Sequence, residues 1–168
     1  MMKKKHLQNF AFTAMLAALL AFPAADILAQ QKTGSTDVSQ GIFPKGTQGP
    51  AANFTGKAWN YSLVPTDSTL TTVVGNVYFE PGARSNWHTH PAGQILIITE
   101  GKGYHQIKGQ SREELKKGDV VKCPPNVLHW HGASPTVGMQ QLYILPNTEK
   151  GIVEWKQPVT DREYNNQN

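Results

Sequence analysis

The sequence predicts an all-β fold, a barrel or sandwich built as a single domain. Three observations carry that expectation. About nine short apolar or alternating stretches recur at close spacing, with Gly, Pro and Asn between them. No stretch sustains a helical apolar period. The chain has 168 residues, enough for one ordinary domain and not comfortably for two.

The first segment lies outside that domain. Lys3, Lys4 and Lys5 precede an apolar run from Phe10 to Phe22 interrupted only by Thr13, and Leu28-Ala29 leads into Gln30. This is the outline of a secretory signal peptide over residues 1–29, cut after Ala29, although Ile27 is bulky for the minus-three position. The run is short for a bilayer span, so an uncleaved anchor is the lesser alternative. No Cys adjoins the cut, which argues against a lipoprotein. The mature protein is then expected in the periplasm or outside the cell, free of the membrane. Loss of three lysines and Asp26 lowers the formal net charge from +4 to +2. No Lys/Arg block remains to suggest nucleic acid.

Residues 30–52 read as an irregular polar lead-in that lies on the surface or on a partner subunit. The β domain spans 53–164. Phe54–Val64 is an edge strand. Leu70–Phe79 follows, rich in Val, Thr and aromatics, with Gly75-Asn76 as a bulge inside it, and Pro81-Gly82 turns the chain. Ile95–Ile98 is a buried strand ended by a turn at Gly101. Gly103–Lys108, Glu113–Lys117 and Val120–Cys123 are short strands separated by Gly turns; 113–117 is the one stretch that could instead be helical, and it is too short to stand alone. Pro124-Pro125-Asn126 breaks the chain before Val127–His131, which Gly132 ends. Met139–Leu145 is the last long strand, stopped by Pro146-Asn147. The tail from Gly151 to Tyr164 is a strand plus a short helical turn, anchored by Trp155. Cys123 is the sole cysteine, which precludes an intramolecular disulfide; it reads as a small residue buried beside Val121.

The chemistry concentrates in histidines. Beyond His6, five remain, and four form two His-x-His pairs: His88-Thr89-His90 and His129-Trp130-His131. On a strand, residues i and i+2 share a face, so each pair presents two imidazoles together. Two pairs on separate strands can close a site of three or four nitrogens. Gln94 adds an oxygen if the Pro91-Ala92-Gly93 turn brings its amide back. Three imidazoles and an oxygen suit a divalent first-row metal: manganese, iron, cobalt, nickel or zinc. The alternative is that His131 or Gln94 merely fills the interior.

These stretches resemble both motifs of the cupins. Gly82, five residues, His88-Thr89-His90, three residues, Gln94, six residues, Gly101 is similar to the first, with Gln where most cupins carry Glu. Gly118, five residues, Pro124, one residue, Asn126, two residues, His129 is similar to the second, with Asn126 in place of Gly; Asn tolerates the left-handed backbone such a Gly would occupy. Phe79–Arg84, Gly118–Val121, His129–Ala133 and Trp155…Tyr164 extend the resemblance over roughly 54–164, toward the small manganese cupins that include bacterial hydroxynitrile lyases. It implies a jelly-roll β-barrel holding one divalent metal, manganese ahead of the others, through His88, His90, Gln94 and His129.

Gln94 is neutral, so such a site keeps the full +2 charge and favours anions or carbonyl oxygens of a small-molecule substrate. It also lacks a carboxylate base, so His131 is expected to move protons. The lyase-like relatives carry a pocket histidine on the Met139–Leu145 strand where this chain has Gln141, which cannot take a proton at neutral pH. Tyr143 shares that strand face. His131, Gln141 and Tyr143 are therefore the candidate catalytic residues. The implied function is a metal-dependent enzyme polarising a small oxygenated substrate, closest to lyase-type C–C cleavage. A cupin dioxygenase, a non-enzymatic cupin binding an anion or sugar acid, and a storage cupin are the alternatives. Strand edges and the lead-in make a homodimer or higher homo-oligomer plausible.

Overall fold

The computed structural model describes residues 41–167; the signal peptide expected over 1–29 lies outside them. Twelve strands and almost no helix follow: β1 (Thr47–Gln48), β2 (Phe54–Thr55), β3 (Ala58–Val64), β4 (Val73–Phe79), β5 (Arg84–Ser85), β6 (His88–Thr89), β7 (Gln94–Ile107), β8 (Glu113–Lys116), β9 (Val120–Cys123), β10 (His129–Ala133), β11 (Met139–Leu145), β12 (Glu154–Trp155) and the single turn α1 (Asp161–Tyr164). All pairings are antiparallel. Two sheets share the long β7. One runs β1-β3-β4-β11-β7-β9; the other runs β8-β7-β10-β5-β2, with β6 on β10 and β12 on β6. The described residues form one all-β domain of two antiparallel sheets.

The sharing of β7 corrects one expectation. Gly101 does not end a strand. The register against β11 shifts between Gln140 and Gln141, and Gly101 sits at φ 79°. Gly101 is itself paired with Met139; the slip leaves Thr99 over between Ile98 and Glu100, so the bulge falls at Thr99, where β7 passes from the first sheet into the second. Gly75 is likewise no bulge: β4 pairs β11 without a slip, and the irregularity falls on β3, between Ser62 and Val64. Gly75 is required by Tyr143 instead, because a Cβ there would lie 2.2 Å from the Tyr143 hydroxyl. Gly132 lies within β10, where its missing side chain lets Ala83 and Arg84 pack directly against it. Glu113–Lys116 pairs with β7 as a strand, and the lead-in contributes β1, paired to β3.

The core lies between the sheets. Phe79, Leu96, Ile98 and Met139 are fully buried there, each contributing roughly 1.5–3 kcal/mol by leaving water. A second cluster, Trp87, Trp130, Val159 and Tyr164, closes one end. Arg84, itself buried, draws the tail onto that end: Nε and Nη2 donate to Val159 O at 3.1 and 3.0 Å, and Nη2 donates to Asp161 at 2.6 Å. Thr160 and Glu163 cap α1 reciprocally.

Candidate metal centre

Backbone geometry aims the histidines inward. β6 pairs β10 with His88 opposite His129, and β10 pairs β7 with His131 opposite His105. Residues directly opposite share a face, so the i, i+2 rule and the pairing together place His88, His129, His131 and His105 in one interior. His90 follows β6 in a loop closed by Gly93 N–H donating to His90 O at 3.0 Å, and that loop brings Gln94 back to the site. Asn126, at φ 61°, takes the left-handed conformation expected of it and delivers the chain into β10.

All five candidate ligands and pocket histidines from the sequence converge. One ring nitrogen from each of His88, His129 and His131 lies within 4.8 Å of the others, a grouping able to hold a metal ion. The His90 ring centre is 5.1 Å from that of His88 and 5.6 Å from that of His129. Gln94 Oε1 lies 3.1 Å from His129 Nε2. Each of these side chains is buried.

Three rings share one anchoring scheme. The Nδ1 of His88 faces Asn86 O at 2.9 Å, that of His90 faces Ile152 O, and that of His129 faces Val127 O at 2.8 Å. A carbonyl only accepts, so each Nδ1 carries the ring proton and each Nε2 is left as a bare lone pair. The donor set fits a cation on a second count. Burial holds His129 down to about 4, so its ring is neutral and has one proton for two acceptor neighbours, Val127 O and Gln94 Oε1. One of those contacts sets lone pair against lone pair, which a cation between Nε2 and Oε1 relieves. His90 Nε2 and His131 Nε2 are buried without a hydrogen-bond partner. Burial, then the His129 ring, also depresses His88; burial, then the His88 ring, depresses His131; and burial depresses His90.

The box opens into a cavity of about 350 Å³ whose walls include Phe54, Val77, Phe79, Leu145, Tyr143 and Trp155. Tyr143 reaches it from β11 and its hydroxyl is pushed up by burial, against a hydrogen bond from Asn60. Gln141 stands behind His131 and contacts its ring. An apolar throat over a cluster of nitrogen and oxygen donors suits a small molecule with one polar, oxygen-bearing end.

His105 escaped the sequence reading. Its Nδ1 faces Glu113 at 2.9 Å and its Nε2 faces Cys123 Sγ at 3.4 Å, 5.7 Å between ring centres from His129. The alternation Gly103, His105, Ile107 within the expected strand Gly103–Lys108 was the available signal; the pairing that sets His105 opposite His131 was not. Cys123 is buried among core residues and its thiol is pushed up to about 12, so it stays protonated and unreactive. Ile152 O, the anchor of His90, leaves no mark in sequence, since any residue supplies a carbonyl.

Residues 75–139 match the model of the Cupin domain. The chain is 44% identical over 117 residues to an (R)-mandelonitrile lyase of Granulicella tundricola, an alignment covering 70% of this chain and 89% of that protein. It is 48% identical to a cupin-like protein of Thermotoga maritima of known crystal structure, with a TM-score of 0.72 over 74% of this chain and 95% of that one. The DMSP lyase DddQ of Ruegeria pomeroyi shares the fold alone, at 20% identity and a TM-score of 0.54 over 73% of this chain and 63% of that one.

Proposed function

The chain belongs to the cupin family, and from that premise we propose that it is a metal-dependent lyase of a small, hydroxyl-bearing organic substrate. The observations that carry the reading are the cluster of ring nitrogens from His88, His129 and His131 and the approach of Gln94 Oε1 to His129 Nε2 at 3.1 Å, beneath an apolar throat. His88, His90 and His129 hold a divalent cation through Nε2, and Gln94 through Oε1. Manganese is expected ahead of iron, zinc, nickel or cobalt; when bound, the cation supplies Lewis acidity to a substrate oxygen. Neutral Gln94 leaves the charge of that site undiminished, which favours an oxygen bearing or developing negative charge.

The protein's own groups do the rest. Phe54, Phe79 and Trp155 seat an apolar or aromatic substituent and exclude water from it. His131 faces the substrate oxygen from the floor, Gln141 orients His131, and Tyr143 lines the throat. A cyanohydrin such as (R)-mandelonitrile, the compound in the relative's name, fits this arrangement: its C–C bond breaks, the hydroxyl proton leaves, and the cyanide released takes up a proton. The same reading takes residues 1–29 as a cleaved export signal and places the mature protein in the periplasm or outside the cell.

Protein purified without metal-affinity steps is expected to carry about one equivalent of divalent metal and to release aldehyde from (R)-mandelonitrile under strict anaerobiosis. Less than about a tenth of an equivalent overturns the metal centre. Metal without turnover favours a binding cupin, and turnover only with oxygen favours a dioxygenase.

A further inference from the structure

His131 is anchored differently from the other three rings. Its Nδ1 meets no carbonyl: Gln141 Nε2–H donates to it at 2.9 Å. An amide N–H only donates, so Nδ1 of a neutral His131 is the bare nitrogen, and the ring proton sits on Nε2. That nitrogen is buried without a partner, in the cluster with His88 and His129. The ring has little freedom to escape the assignment. Phe79 meets it edge-on, with centres 5.6 Å apart at 87°, and Ser85 Oγ accepts the His131 backbone N–H at 3.2 Å. Gln141 is fully buried on β11, held in register by Val77 on one side and Ile98 on the other.

We propose that Gln141 fixes His131 in the Nε2–H tautomer and so makes it a hydrogen-bond donor to a small anion or anionic oxygen in the histidine box, not a fourth nitrogen ligand and not a base. The proposal rests on the reading of that box as a ligand site. Opposite anchors divide the four rings by task. Three carbonyl-anchored imidazoles offer lone pairs, and one amide-anchored imidazole offers a proton. The donor stabilises negative charge on a bound oxygen in a dry site without transferring its proton. His131 then differs from the proton acceptor expected from its spacing alone. Gln141 is the positioning residue, acting through His131.

Long-range proton–nitrogen correlation spectra of the full chain, metal-free and loaded with diamagnetic Zn²⁺, test this directly. His131 is expected to show a protonated Nε2 and a bare Nδ1, with the reverse in His88, His90 and His129. Gln141→Glu, whose carboxylate accepts from Nδ1–H, is expected to reverse His131 alone. Azide added to the zinc-loaded protein is expected to shift the His131 Nε2–H resonance, and His131→Phe is expected to weaken azide by about tenfold at unchanged zinc content. A His131 carrying its proton on Nδ1 in the unaltered chain overturns the proposal, as does azide affinity unchanged in His131→Phe. The unaltered spectrum decides the tautomer even if Gln141→Glu fails to fold. The expected tautomer together with failure to take up zinc overturns the metal-centre reading and supports the assignment of Gln141.

Discussion

The two ends of the barrel are built from similar residues and treated oppositely. At the end closed by α1, most polar groups find partners: Arg84 bonds Val159 O and Asp161, Trp130 Nε1 donates to Gln106 at 3.0 Å, and Tyr164 Oη donates to Ala133 O at 2.7 Å, with Trp87 Nε1 and Arg112 Nε the exceptions. At the open end, His90 Nε2, His131 Nε2 and Gln141 Oε1 are buried with none. An unmet buried polar atom costs about 1–3 kcal/mol, so the open end is held against its own preference by the rest of the fold. Unmatched atoms occur on scattered residues elsewhere, but at the open end they gather around one cluster of rings.

If that division holds, changes at the open end alter metal content, and changes at the closed end alter stability alone. The largest effect is expected for His88→Ala, which should drop bound metal below about a tenth of an equivalent by elemental analysis and remove the rise in melting temperature on adding metal.

Next comes acid. Burial keeps His129 near 4 and His88 and His131 well below their usual range, so between about 6.5 and 4 the unfolded chain takes up protons that the native chain refuses. Metal-free protein should therefore lose stability as pH falls through that window, on the order of 3 kcal/mol for His129 alone, read from denaturant melts at pH 7 and pH 4.5. A flat profile would move the strain elsewhere.

Arg84→Met should cost about 2–3 kcal/mol, because it removes charge-assisted bonds to the tail and leaves Val159 O unmatched. Metal content should stay at the level of the unaltered protein, and its loss would show the two ends to be coupled. The smallest effect is expected for Glu163→Gln. Burial raises the Glu163 carboxyl, but hydrogen bonds from Lys108 and Thr160 outweigh that and hold it down to about 2. Its contribution is present above 4.5 and is lost as pH falls toward 2. The substitution should remove about 1 kcal/mol at neutral pH, with no effect on metal.

Much of this was legible in the residues. Turn chemistry and β-branched stretches mark the strands from Val73 to Leu145, and the two His-x-His pairs name rings that share one interior. Trp155 was legible as a tail anchor, because a large aromatic in a polar tail has nowhere else to go, whereas the burial of Tyr164 against Trp130 was not. What failed were statements that depend on neighbours. Gly75, Gly101 and Gly132 look alike as strand punctuation, yet one makes room for Tyr143, one continues β7 in a left-handed conformation just past the bulge at Thr99, and one admits Arg84.

By itself the sequence determined an all-β domain and the identity of its imidazoles, because periodicity and spacing are local properties of the chain. Tertiary structure alone decided the protonation pattern of those rings. Whether a histidine offers a lone pair or a proton depends on what stands behind it, and the groups behind these rings range from Asn86, two residues away, to Ile152, sixty-two residues distant. Gln141 reaches His131 only because β11 and β10 both pair with β7.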